Sequence, residues 1–382
     1  MKNREEIRLQ RAVATVCATL FACFAFCFVA IYQSPLVELF YDDISTGKLE
    51  YNSYVTGGVV AVVLTLLALW LNRFAGFKRE WTAMAYLPSA MLLALLTDVD
   101  ESLYTKESDL YPWVVIFSLA ITVYLLFAFV LKRVLFEKIK NPAFTASRII
   151  WRNLILLVTM FCLAGTFSNG EENFKREALM ASLCKKGDVD GALEVGKLSL
   201  DASPELTAYR AYLLAEKGML GEKLFEYPQL YGSQALVPAK VQTSPLVPDS
   251  VYSRLGVEPL DGEAAFDMVK RAFEADPSNS YAREYYLSVL LLDKRLPEFV
   301  DALKVCYPNY SNLPKHYSEA LLLYTHIVDD KSVKALPAGA DVVERYSGLV
   351  KTESEYEDAH IRGNYVRRKF GDTYWWYYLY AY

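Results

Sequence analysis

The 382-residue sequence contains few of the side chains and motifs that most enzymes and metal proteins use. It has three histidines, and the motifs HExxH, CxxC, GxSxG, GxxxxGK(S/T) and GxGxxG do not occur. A zinc hydrolase, a dithiol redox site, a serine hydrolase and the common nucleotide-binding loops therefore have no support. His316 and Glu319 form an HxxE pair that would share one helical face, but no third ligand is evident. We expect no catalytic, cofactor-binding or metal-ligating residue.

Basic charge is not in excess either. The formal net charge is −5 and the isoelectric point is near 5.5, which argues against a general nucleic-acid binder because such proteins carry a basic face. The excess of apolar residues lies before residue 168. From residue 168 onward the chain has 25 Lys and Arg against 32 Asp and Glu, so its second half has the composition of an acidic soluble domain.

Five apolar stretches predict membrane-spanning helices, because a crossing needs about 20 mostly apolar residues. They lie near residues 12–32, 54–71, 81–97, 113–131 and 152–168, and none has a charged residue in its core. The third is short and contains Pro88, and the fifth is short as well, so a buried globular helix is the alternative for these two. The first has a basic start, like a signal peptide, but no small-x-small cleavage site follows it, so we interpret it as a retained helix.

The loops between these stretches alternate in charge. Thirteen basic residues lie on one side: Lys2, Arg4, Arg8, Arg11, Arg73, Lys78, Arg79, Lys132, Arg133, Lys138, Lys140, Arg148 and Arg152. The alternate loops contain only Lys48 and Lys106 as basic residues, together with several acids. Because Lys and Arg favour the cytoplasmic side, we expect a cytoplasmic N-terminus in a bacterial inner membrane. Five crossings then place residues 168–382 in the periplasm, and the loss of one span would invert that result.

The apolar cores lack the ionisable residues that proton and ion pathways use, which disfavours a coupled transporter. Acids in the exported loops at 33–53 and 98–112 leave a second hypothesis open. It is a membrane enzyme or export component that acts on lipid-linked glycans through Asp42, Asp43, Asp98, Asp100 and Glu101.

The second half carries a repeat-like pattern. Small residues followed by proline recur as Ala192, Gly196, Ser199 and Pro204, and again as Ala265, Val269, Ala272 and Pro277. The pattern resembles the tetratricopeptide repeat, in which two antiparallel helices cross at small residues and proline ends the unit. We therefore predict an all-α fold: a transmembrane bundle over 1–167 and a TPR-like α-solenoid over 168–382. An irregular proline-containing loop near 227–250 interrupts the repeats.

Three segments carry a resemblance that covers the whole chain: "SVYSRLGVEPLDGEAAFDMVKRAFEAD", "EYYLSVLLLDKRLPEF" and "FGDTYWWYYLY". On these segments the chain resembles a family of uncharacterised bacterial membrane proteins, mostly from Bacteroidota. The resemblance implies a multi-span N-terminal part joined to an exported repeat-like domain. It implies no activity.

The chain closes on "FGDTYWWYYLYAY" at residues 370–382, although chain ends are usually polar. Trp375, Trp376, Tyr378 and Leu379 share one helical face by their spacing. We predict that this face caps the last apolar surface of the repeat array. Contact with a membrane interface and binding of a partner are the alternatives.

Together these features predict an integral inner-membrane protein, embedded in the lipid bilayer, that presents an extracytoplasmic TPR-like domain. A domain of this kind serves protein–protein interaction or assembly in the cell envelope. The expected partner is an envelope protein rather than a nucleic acid, and enzymatic activity is the less favoured hypothesis.

Overall fold

In a computed structural model, the chain forms two compact units, Met1–Ala178 and Leu179–Tyr382. The structure describes residues 2–45, 50–77, 79–99, 146–199, 201–237, 250–260, 262–308, 310, 312–327 and 339–381, with scattered positions between 115 and 129. Every regular element in these ranges is a helix. The prediction of an all-helical protein is therefore confirmed for the described residues.

In the described ranges, the first unit consists of helices that differ in length and polarity. They are α1 (Lys2–Cys27), α2 (Ser34–Ser45), α3 (Ser53–Ala75), α4 (Leu87–Thr97), α5 (Ala146–Phe167) and the first part of α6 (Glu172–Lys185). A π-helical turn, Phe28–Tyr32, extends α1, and a 3-10 segment, Arg79–Tyr86, leads into α4. Helix α3 shows how sequence sets such limits: the Asn52 side chain accepts the first free backbone N–H groups, and Gly76 ends the helix in a left-handed conformation.

Three of these helices are long and apolar enough to cross a membrane: Ile7–Tyr32, Ser53–Ala75 and Ala146–Phe167. They coincide with the first, second and fifth predicted spans. The fourth predicted span, near 113–131, lies largely outside the described residues.

The third predicted span has an unexpected form. The 3-10 segment Arg79–Tyr86 starts two residues before it and forms its first six residues, and its last eleven are α4. A 3-10 helix rises faster per residue than an α-helix, so the two pieces together extend about 32 Å. Most of this path is buried against α1, α3 and α5. The backbone N–H of Ala83 donates to Oδ1 of the buried Asn153 on α5 at 2.7 Å, so a side chain replaces the missing α-helical acceptor.

Small residues allow α3 to approach the end of the first span closely. A Cβ atom at Gly57 would lie 2.7 Å from Cβ of Ala30, whereas one at the neighbouring Gly58 would meet nothing within 4 Å. The ring of Phe24 stacks on that of Phe161 at 4.0 Å and joins α1 to α5. The first unit therefore has a specifically packed core and apolar outer faces.

The second unit begins within α6, and its described residues form eleven further α-helices. They are α7 (Val189–Glu194), α8 (Pro204–Glu216), α9 (Leu220–Lys223), α10 (Ser250–Leu255), α11 (Ala265–Ala275), α12 (Ser280–Leu292), α13 (Leu296–Cys306), α14 (Lys315–Ile327), α15 (Ala340–Ser354), α16 (Ala359–Phe370) and α17 (Tyr374–Tyr380). In the region predicted as an irregular loop, a 3-10 turn at Gly232–Ala235 precedes the fully buried Leu236 and Val237. Residues 238–249 of that loop lie outside the described part.

Helix α12 lies at the centre of this unit. Eight of its thirteen residues are buried, on all of its faces, and it contacts α8, α9, α10, α11 and α13. Helices α11 to α14 also contact each other in sequence order across short connections, as antiparallel hairpins do. In addition, α9 contacts α14 across about ninety residues of chain. The unit thus combines consecutive hairpins with one shared core.

Candidate functional site

The first set of predicted repeat residues begins on a short helix. Ala192 is fully buried on α7, but that helix ends at Glu194. Gly196 follows in a turn with a φ of +64°, and Ser199 lies beyond it. Pro204 is the first residue of α8, where its missing N–H costs nothing. It therefore begins a helix, whereas the sequence pattern led us to expect it to end a unit.

The second set lies on a complete helix. Ala265 begins α11, Val269 and Ala272 are buried on it, and Pro277 follows in the turn before α12. The Asn279 side chain then caps α12 by accepting backbone N–H groups. These residues shape the fold of the unit, and none of them lines the cavity described below.

The C-terminal aromatic segment is a helix docked into the core of the second unit. Thr373 caps α17, and the buried face consists of Tyr374, Trp375 and Tyr377. Of the four predicted cap residues, Trp375 is fully buried, Trp376 and Tyr378 are half-buried, and Leu379 is 44% exposed. The buried face of α17 is thus rotated about the helix axis by about one residue from the face that the sequence spacing predicted.

Hydrogen bonds to α14 and α12 hold this helix in place. The Tyr374 backbone N–H donates to Oε2 of Glu319 at 2.8 Å, and the Trp375 indole N–H donates to the Glu319 carbonyl at 2.7 Å. The Tyr377 hydroxyl donates to the Leu292 carbonyl at the end of α12, also at 2.7 Å. The last turns of the chain are thereby fastened to both α12 and α14.

His316 and Glu319 form a buried pair under the same helix. The backbone N–H of Phe225 donates to Nε2 of His316 at 3.3 Å, so the ring proton lies on Nδ1 and donates to Oε2 of Glu319 at 2.9 Å. Both side chains are almost completely buried. The HxxE pair is therefore a structural bridge between α14, the Leu224–Glu226 segment and α17.

A cavity of about 620 Å³ lies beside this pair. Its volume falls within the range of ligand sites, roughly 300–1,000 Å³. Helices α9, α14, α15 and α17 and the connection before α14 form its walls. The residues that line it are Glu222, Tyr310, Asn312, Leu313, Lys315, Ser318, Glu319, Gly339, Asp341, Val342, Arg345 and Trp375.

The two cations of the cavity are held by neighbouring carboxylates. Lys315 Nζ lies 3.0 Å from Oδ2 of Asp372 and 3.5 Å from Oε1 of Glu226, and an Arg345 NH group donates to Oδ1 of Asp372 at 2.6 Å. Burial would raise the pKa of Asp372, but its hydrogen bonds from Arg345 and Lys315 outweigh that effect, so its pKa lies below the ordinary value. Asp372 is therefore ionised at neutral pH and pairs with both cations.

The backbone before α14 is strained where it borders the cavity. Tyr310 and Asn312 have φ values of +48° and +55°, a region that residues with a Cβ atom seldom occupy. Such strain tends to cluster at functional sites. Sequence reasoning did not find this cavity, because its lining comes from four separated segments. The HxxE pair was the one available signal.

Three of the five acidic residues of the alternative enzyme hypothesis lie on or beside described helices of the first unit. Asp42 and Asp43 lie on α2, and Asp98 follows the end of α4. Asp100 and Glu101 lie outside the described residues. No group of three or more His, Cys, Asp or Glu suited to a metal ion occurs in the described ranges.

A comparison with protein-family models matches residues 4–258 and 260–381 to one family, described as a family of unknown function, DUF6057. The chain belongs to DUF6057. A search of the curated proteins found no match, and a search of the solved structures also found none. Membership in DUF6057 agrees with the expectation of an uncharacterised family and supplies no activity, so we infer function from the geometry of the site.

Proposed function

We propose that this DUF6057 protein is a multi-pass membrane protein whose helical second unit binds a polypeptide partner in the cavity beside α14. The observation that carries the proposal is the cavity itself. It combines ligand-site volume, polar and aromatic lining, and a strained border. We propose that the partner is an envelope protein and that binding serves assembly or anchoring.

The membrane placement is supported by the outer faces of the first unit. Trp70 and Trp151 are both more than half exposed, and each lies close to a basic residue, Arg73 at the end of α3 and Arg152 near the start of α5. Exposed tryptophan beside arginine is typical of the membrane–water interface. In the proposed topology, all four residues lie at the cytoplasmic interface. Five spans, a cytoplasmic N-terminus and a periplasmic second unit in a bacterial inner membrane remain our proposal, supported by the loop charges.

A TPR-like architecture for the second unit is likewise a proposal. The consecutive hairpins α11 to α14 and the proline turn at Pro277 support it. The contacts of α9 with α12 and α14 differ from the nearest-neighbour packing of a simple solenoid. We propose a repeat-derived unit whose concave side has been partly filled by α9 and α17, leaving the cavity as the open part.

Site-specific photocrosslinking in native membranes tests the proposal. A photoreactive amino acid replaces Ser318 or Val342, which line the cavity, or Asp301, whose exposed side chain on α13 lies outside it. We expect a polypeptide adduct of one defined mass from both cavity positions and none from position 301. Adducts that are absent from the cavity positions, or equal at all three, would refute partner binding in the cavity.

A further inference from the structure

We infer that the cavity receives the cationic side chain of a lysine or arginine from a basic polypeptide segment. The inference rests on the proposed function, since it names the chemistry of the partner that the same cavity would bind. Three observations carry it: the balance of charge around the cavity, the unused oxygen of a buried carboxylate, and the apolar surfaces near the rim.

The charges around the cavity are predominantly negative. Five carboxylates lie in its lining or bonded to its lining, against the two cations Lys315 and Arg345: Glu222, Glu226, Glu319, Asp341 and Asp372. Both cations are already paired, with Asp372 shared between them. The helix beginnings at Lys315 and Ala340 contribute partial positive charge at the cavity, but together they amount to about one elementary charge. A cationic ligand is therefore favoured over an anionic one.

Glu319 provides the acceptor within the cavity. Its side chain is 2% exposed and lines the cavity. Both hydrogen bonds that the carboxylate receives in the described part of the chain, from His316 and from the Tyr374 backbone, fall on Oε2. Oε1 is left for a ligand. The side chain has little access to water, so an ammonium or guanidinium group that enters the cavity would donate to Oε1 strongly.

The walls suit the aliphatic part of such a side chain. Leu313 and Val342 are half-buried at the cavity, and Tyr310 presents a half-exposed ring beside them. Lysine and arginine carry an apolar stem below the charged group, which packs on surfaces of this kind. An ion without a stem would leave these walls unused, so the geometry points to a side chain rather than to an inorganic cation.

The test uses the full-length protein in detergent and short labelled peptides, with fluorescence anisotropy as the readout. One peptide carries arginine, a second carries citrulline, which keeps the shape and removes the charge, and a third carries glutamate. We expect the arginine peptide to bind roughly tenfold or more tightly than the citrulline peptide, since a charge-assisted hydrogen bond contributes that much. Asp341→Asn and Glu319→Gln should each weaken binding of the arginine peptide by several-fold. Asp301→Asn, on α13, is the matched control and should leave it unchanged.

Both variants should keep the fold, because Glu319→Gln still offers an oxygen to His316 and Tyr374 and because Asp341 is exposed. Protease resistance of the second unit checks this separately from binding. Equal binding of the arginine and citrulline peptides would overturn the inference, and so would absence of binding by the arginine peptide. Preferential binding of the glutamate peptide would overturn it while leaving partner binding in the cavity intact. Failure of the crosslinking experiment would instead refute the proposed function itself.

Discussion

Replacement of Trp375 by alanine should strongly destabilise the second unit, although the residue lies seven positions from the end of the chain. The side chain is fully buried, its ring packs edge-on against Tyr346 at 5.1 Å, and its indole N–H bonds the Glu319 carbonyl at 2.7 Å. Truncation of a buried tryptophan to alanine costs about 3–5 kcal/mol. The free energy of unfolding of a whole domain is about 5–15 kcal/mol, so this one change would remove a large fraction of the stability of the second unit.

Two companion variants separate the contributions. Trp375→Phe keeps much of the ring but removes the indole N–H that donates to the Glu319 carbonyl, and the loss of this hydrogen bond should cost about 0.5–1.5 kcal/mol. Leu379→Ala changes the same helix at a position that is 44% exposed. Surface substitutions of this kind change the free energy of unfolding by no more than about 0.5 kcal/mol.

The assay is urea titration of the full-length protein in mild detergent, followed by brief proteolysis and quantification of the surviving second unit. We expect the order of stability to be wild type and Leu379→Ala, then Trp375→Phe, then Trp375→Ala. If Trp375→Ala lowers the free energy of unfolding by less than about 1 kcal/mol, or by no more than Leu379→Ala does, the docked position of α17 is refuted.

Three further outcomes follow from the packing and the charges. Gly57→Ala should destabilise the first unit, because the new Cβ would lie 2.7 Å from Cβ of Ala30. At Gly58 a new Cβ would meet nothing within 4 Å, so Gly58→Ala should be neutral or stabilising. The temperatures at which the two variants aggregate in detergent compare these effects. Asn153→Leu removes the acceptor of the Ala83 N–H, so hydrogen exchange at Ala83 should accelerate. Thr159→Ala, on the exposed face of α5, is the control and should leave the exchange rate at Ala83 unchanged. Asp372 has a lowered pKa in the folded state, so it contributes stability above its unfolded pKa of about 4, and that contribution is lost as pH falls through the folded pKa. The difference in unfolding free energy between wild type and Asp372→Asn should therefore be constant above about pH 5 and shrink below about pH 4. It should be under about 1 kcal/mol, because the Asp372 side chain is 42% exposed. A difference that widens in acid would contradict this assignment.

The parts of the fold that depend on local pattern were predictable from sequence. Long uncharged runs identify α1, α3 and α5, because hydrophobic length is a property of the segment itself. The hairpin from Ala265 to Leu292 was also recognisable, since its small residues, its proline turn and its Asn279 cap are close in sequence.

The parts that depend on long-range contact were not predictable. The 3-10 form of Arg79–Tyr86 depends on Asn153, which lies about seventy residues away and supplies an acceptor to Ala83. The early end of α7 at Glu194 places Gly196 and Ser199 outside a helix, although their spacing is helical. The cavity required α9, α14, α15 and α17 to converge, and only the tertiary fold brings them together.

The spacing of the C-terminal aromatic residues predicted a docked helix but selected a neighbouring face. Trp375 and Trp376 are equally large, so periodicity alone does not decide which of them is buried. In the structure, the bonds of Tyr374 and Trp375 to Glu319 fix the rotation of the helix. Leu379 consequently faces outward.

We propose that the first unit lies in a bilayer and that the second unit lies on the side of the membrane opposite the N-terminus. Labelling of single introduced cysteines in intact bacterial cells with a membrane-impermeant maleimide tests it directly, with the unaltered protein as the background for its six native cysteines. We expect Asp301→Cys to be labelled once the outer membrane is permeabilised, and Arg4→Cys to be labelled only after the inner membrane is broken. Labelling of both positions at the same stage, or in the reverse order, would contradict the account.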